Sequence, residues 1–146
     1  MKKTIWFALL ILSIVSCFTA CNFTTNIMDS TKNKAESTPH VEEMMSAIVE
    51  KRVSDAKSLL HPQANENTDD AIEQMVNYVN GRTVSSMELL NIKVSTSKGT
   101  SGQMRQEQVA YQVVMADGEI FYLNAVYVIG DEGNGFASFQ LVLGIV

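Results

Sequence analysis

Cysteine is nearly missing from this chain: its two copies, Cys17 and Cys21, lie within the first 21 of 146 residues. Whatever folds after them has no thiol for a disulfide framework, a metal site or a nucleophile, so its stability has to come from packing. Basic residues are also scarce. Of the 11 Lys and Arg, Lys2 and Lys3 sit at the extreme N-terminus, leaving nine against 16 acidic residues, a net charge of about −7 for the remainder. After residue 40 no stretch gathers more than two adjacent basic residues (Lys51, Arg52), so the electrostatic footprint that a phosphate backbone requires is missing and no nucleic acid partner is expected. The chain has no His or Cys cluster at ligand spacing, no glycine-rich phosphate loop leading into a helix and no serine elbow, so neither metal nor cofactor is expected. It has no internal repeat.

What is present begins with the leader. Met1 to Lys3 is a positive n-region, Ile5 to Val15 (IWFALLILSIV) is an unbroken apolar stretch, and small residues and a cysteine follow. A membrane-spanning helix needs about 20 apolar residues, and Ile5 to Ala20 falls short and ends in Ser, Cys and Thr. The pattern resembles the bacterial lipoprotein signal, in which an aliphatic and small-residue box precedes a cysteine that receives a diacylglycerol and becomes the new N-terminus. Two boxes fit. Ile14-Val15-Ser16-Cys17 has the better aliphatic residue, whereas Phe18-Thr19-Ala20-Cys21 has Ala just before the cysteine and polar Asn22 just after. Cys21 is the expected lipid anchor, with Cys17 as the alternative. The resemblance implies a signal peptide over residues 1–20 and a cell-envelope protein held by acyl chains on the extracytoplasmic side of a bacterial membrane.

From Asn22 to Pro39 the composition turns to Asn, Thr, Ser, Lys and Glu, too polar to offset its ordering entropy. We read residues 21–37 as a flexible tether and residues 38–146 as one domain, the number this length allows. Within the domain, Val41, Met44, Met45, Ile48 and Val49 recur at helical spacing behind a Thr38-Pro39 start. Ser54 can cap a short second helix that Pro62 stops, and Ile72, Met75, Val76 and Val79 form the inward stripe of a third, closed by Gly81. After Gly81 the period changes to two. Val84, Ser86, Glu88, Leu90, Ile92 and Val94 alternate with Thr83, Ser85, Met87, Leu89 and Asn91 as a first strand. Further strands are predicted over Met104–Met115, Glu119–Ile129 and Phe136–Leu143, with a type I′ turn at Asp117-Gly118 and a loop over Gly130–Gly135.

Three N-terminal helices packed on a curved four-stranded antiparallel sheet make an α+β fold. The order and lengths, best carried by AIVEKRVSDAKSLLHP (residues 47–62) and supported by residues 70–81, resemble the nuclear transport factor 2-like, or cystatin-like, superfamily in its small lipoprotein branch. That resemblance bears on fold rather than function. Enzymes of the superfamily, such as ketosteroid isomerases and scytalone dehydratases, hold carboxylates, histidines or tyrosines in a cavity between sheet and helices.

Little in the domain commits to chemistry. His61 has no identifiable partner and reads as a surface or helix-end histidine. Asp69 and Asp70 suit a helix start, Glu88 and Glu107 read as a solvated strand face, and Glu119 flanks the turn as an exposed residue. Tyr111, Phe121, Tyr127 and Phe139 fall on inward strand faces. They are core residues first, but two phenols among aliphatic groups would also suit a pocket for a small apolar ligand carrying one polar group. The opposite face of the third strand, with Tyr122, Asn124, Val126 and Val128, could pack against a second copy. The leading expectation is thus a non-enzymatic binding or interaction module for a small molecule or an envelope protein. A small cavity enzyme of isomerase or dehydratase type and a sheet-mediated homodimer are the alternatives.

Overall fold

A computed structural model describes residues 35–100 and 102–144. The leader, both candidate anchors Cys17 and Cys21, and most of the tether lie outside the described residues. Three helices, α1 (Thr38–Val49), α2 (Val53–Ser58) and α3 (Glu66–Val79), precede four strands, β1 (Val84–Gly99), β2 (Gly102–Met115), β3 (Ile120–Gly130) and β4 (Gly133–Leu143). The strands form one antiparallel sheet in the order β1-β2-β3-β4, so the fold is α+β, as the change of period predicts. No helix among the described residues is long and apolar enough to cross a membrane.

The apolar stripes do the packing. Val41, Met44, Met45 and Ile48 of α1 and Ile72, Met75, Val76 and Val79 of α3 meet Val109, Tyr111, Val113 and Met115 of β2, Phe121, Leu123, Ala125 and Tyr127 of β3, and Phe136 and Phe139 of β4. Each fully buried phenylalanine contributes on the order of 2–3 kcal/mol. Ala35 and Ser37 are buried too, so the packed domain reaches back to Ala35, ahead of where helical spacing places its start.

Helix α1 ends in a Schellman motif. Arg52 N–H donates to Ala47 O at 2.8 Å and Lys51 N–H to Ile48 O at 3.2 Å, which forces Lys51 to φ 58° in the left-handed region. At the other end of the helical layer, Asn65 caps α3 by accepting from Asn67 N–H, and Asn80 at φ 49° closes it.

Three local expectations are corrected. In β1 the pairing register shifts between Leu89 and Asn91, so Met87 and Leu89 share the helix-facing side with Ile92 rather than with Asn91, and Leu90 is left exposed. One extra residue in a bulge reverses the alternation beyond it. At the β2–β3 hairpin only Gly118, at φ 89°, is left-handed. Gly118 N–H donates to Met115 O and Met115 N–H donates to Glu119 O, the three-residue loop with a glycine bulge instead of a type I′ turn. Finally, Gly130 pairs with Gly133, leaving a tight turn at Asp131-Glu132, and Gly135 lies inside β4. There Phe136 N–H donates to Leu59 O and His61 N–H donates to Phe136 O, both at 2.9 Å, so residues 59–61 add a short parallel bridge beside β4. A Cβ on Gly135 would lie 2.6 Å from His61 N and 2.7 Å from the Leu60 carbonyl carbon, which is why glycine stands there.

Candidate functional site

The four residues expected to line an inner pocket are all buried within one apolar cluster. The Tyr111 hydroxyl lies 3.0 Å from Thr38 Oγ1, which answers its hydrogen-bonding need, and burial pushes its pKa up. Tyr127 stacks on His40 with ring centroids 4.7 Å apart, and burial likewise raises its pKa. Phe121 takes the Tyr78 ring edge-on at 5.6 Å, and Phe139 packs against Phe136 at 5.1 Å. Neither of the two best-formed clefts on the described residues is lined by any of the four.

Helix α1 starts on a polar cluster instead. Glu107, completely buried, lies on the helix-facing side of β2 and accepts from Ser37 N–H at 2.9 Å through Oε2. Its Oε1 accepts from Arg105 Nη2 at 2.8 Å, and Arg105 Nη1 reaches Glu36 at 3.1 Å. The solvated position expected for Glu107 is therefore wrong: its carboxylate is buried because it takes the Ser37 backbone N–H at the helix start, where the Ser37 side chain makes no cap. The arrangement holds the chain entry against the sheet; it offers no second titratable group poised for proton transfer.

The larger cleft, an open one of about 500 Å³, lies between the end of α2 and the start of α3 and includes Lys57, His61, Asn65, Glu66, Asp69 and Asp70. Its one lysine is engaged: Lys57 Nζ bridges Asp69 at 2.8 Å and Glu73 at 2.5 Å, and those two carboxylates push the lysine pKa up. His61 is buried rather than on the surface, since the bridge to β4 draws its backbone inward, and its Nδ1 accepts from Gln63 N–H at 3.2 Å. A general base needs a proton within reach and an orienting partner, and His61 has neither among the described side chains. Among the described residues no group of His, Cys, Asp or Glu could hold a metal ion. Glu88 is exposed. Glu119 is partly buried against Arg82 rather than free, and it also accepts from the Tyr78 hydroxyl at 3.1 Å.

The second cleft, about 350 Å³, is a trough across the sheet face that points away from the helices. Register assigns the rows of this face. Asn91, Ala110, Asn124 and Gln140 stand side by side across the four strands, with Lys93, Gln108, Val126 and Ser138 in the row beyond and Glu88, Gln112, Tyr122 and Val142 in the row before. Ala110 and Ser138 are short, and the trough lies over them. Val128, which sequence alternation also puts on this face, is buried, and the exposed residues of the rows around the trough include Asn91, Gln108, Asn124, Tyr122 and Val142. The period-two spacing of Gln106, Gln108 and Gln112 was the available signal for these residues.

Comparison with protein-family models, with curated proteins and with solved structures finds no match to this chain.

Proposed function

We propose that this chain is a lipoprotein of the bacterial cell envelope, anchored on the extracytoplasmic side through Cys21, or Cys17. Its nuclear transport factor 2-like (cystatin-like) domain acts as a non-enzymatic binding module that works through the outer face of its sheet. The leader and its cysteine boxes support the address. The run of helices followed by a four-stranded meander supports the fold type. The observation that carries the binding reading is the contrast between the two sides of the sheet. On the inner side Tyr111 and Tyr127 are buried and line neither of the two clefts described, whereas the outer side carries a trough with little charge around it. Depletion of charge with a retained tyrosine is the compositional mark of a recognition surface. Among the described residues of this face only Glu88 and Lys93 are charged, and both stand on β1.

Two measurements test it. The mass of the mature N-terminus from the native host should show an acylated cysteine at position 21 or 17; a retained Met1 without acyl mass refutes the address. For the face, the folded part lacks cysteine, so with whichever of Cys17 and Cys21 is not acylated replaced by serine, Gln108→Cys and Glu73→Cys give clean maleimide probes of the sheet and of the helix layer. The first should label more slowly in the intact envelope than in purified protein while the second labels alike in both. Equal labelling of the sheet probe in the two settings removes the binding surface, and protection already present in purified protein assigns it to a second copy.

A further inference from the structure

We infer that the ligand of the outer trough is a neutral, polyhydroxylated glycan, an inference that rests on the outer face being the binding surface. The first ground is hydrogen-bonding inventory. Asn91, Gln106, Gln108, Gln112, Asn124 and Gln140 all point to this face, and none of their amide groups pairs with another described residue. Several amides elsewhere are put to structural use: Asn65 caps α3, Asn80 accepts from Lys51 Nζ at 2.8 Å, and Asn134 accepts from Gly130 N–H at 3.2 Å. Each spare amide offers donors and an acceptor together, the complement of a hydroxyl group, which also does both.

Charge narrows the class. An anion would find Lys93 alone in the trough of a protein with net negative charge, and a cation would find no carboxylate there. An apolar ligand would strip water from the amides without replacing their hydrogen bonds. An extended peptide joins a sheet through the backbone of an edge strand, not across a face. A sugar ring has equatorial hydroxyls for the amides and an apolar C–H side for an aromatic ring, and Tyr122, 41 % exposed, stands one row from the trough with half-buried Val126 inside it. Four strands at ~4.8 Å spacing make the trough ~15 Å across, which fits a short oligosaccharide better than a single ring.

The test is calorimetric titration of the full-length, detergent-solubilised protein with the N-acetylglucosamine tetrasaccharide and with maltotetraose. Saturable binding of at least one, weakened about tenfold by Gln108→Ala and by Asn124→Ala but unchanged by Glu73→Ala, is the expected result. All three side chains are exposed, and matching circular dichroism melts verify that the variants are folded. No saturable heat with either sugar up to about 10 mM overturns the glycan assignment, as does binding that ignores both sheet substitutions. The maleimide experiment then separates the two ideas: protection of position 108 in the envelope without sugar binding keeps the surface and discards the ligand class, and loss of both discards the surface as well.

Discussion

Replacing Glu107 by glutamine is the sharpest test of how the domain is held at its chain entry. The carboxylate is fully buried and accepts on both sides, from Ser37 N–H through one oxygen and from Arg105 Nη2 through the other. Glu107→Gln preserves shape and volume but turns one acceptor into a donor. Whichever way the amide is rotated, its NH₂ faces either the Ser37 N–H or the guanidinium. One charge-assisted hydrogen bond is lost, a cost of about 1.5–3 kcal/mol. Part of that is offset because a neutral amide is easier to bury than a carboxylate, and because the half-exposed Arg105 can turn to water. A net loss of about 2 kcal/mol remains, which at a urea dependence of about 1.5 kcal/mol per molar lowers the unfolding midpoint by roughly 1.3 M. Arg105→Ala should destabilise by a similar amount, and the double variant by less than the sum, since both act on one network. A glutamine variant whose midpoint stays within about 0.3 M of the parent would refute the reasoning, because the buried charge would then cost as much as its bonds return.

Gly135→Ala should lower the urea midpoint sharply or prevent soluble accumulation, with a cost of about 1–3 kcal/mol or more, because the new Cβ meets backbone rather than a movable side chain; a stability equal to the parent would show that residues 59–61 do not pair with β4. Lys51→Gly should raise the thermal midpoint by the equivalent of about 0.5–1 kcal/mol, since it relieves a left-handed non-glycine residue and loses only an exposed bond to Asn80; a lower midpoint would argue against that conformation. Asp117 is held below its ordinary pKa of 3.8 by the Glu119 backbone N–H and by Arg82. A depressed folded pKa gives stabilisation that is complete above the unfolded value and vanishes as pH falls through the folded one. The advantage of the parent over Asp117→Asn should thus be constant at neutral pH and close below about pH 4 in acid unfolding curves; a gap that persists unchanged to pH 2 contradicts it.

Elements with strong local periodicity are legible in the sequence. The stripes Val41–Val49 and Ile72–Val79 name the inward faces of α1 and α3, and the alternation of β2 and β3 names the core side of the sheet, because each needs only neighbours in sequence. What failed depends on a distant partner or on a single inserted residue. Alternation through Leu90, Ile92 and Val94 looks unbroken, yet the bulge changes which of them faces inward. His61 reads as a terminal residue until β4, more than seventy positions later, reaches round to bond its backbone. Glu107 looks like one more strand carboxylate among glutamines, and only the arrival of Ser37 from 70 positions earlier makes it interior. The amide trough was half legible: the glutamine spacing is visible in β2, but the spare hydrogen-bonding capacity emerges only when four strands are laid in register.

The two rims of the sheet bear on life in a crowd. A protein confined to a lipid surface, as proposed here, meets copies of itself far more often than one diffusing in bulk, and a bare outermost strand is a template for endless lateral growth. One rim, β1, is interrupted by the bulge at Leu90 and carries Lys93 and Lys98, while the other is overlaid at Phe136 by residues 59–61 and at Ala137 by the Thr68 hydroxyl. Both rims therefore carry features that oppose edge-to-edge pairing and the fibre growth it would seed.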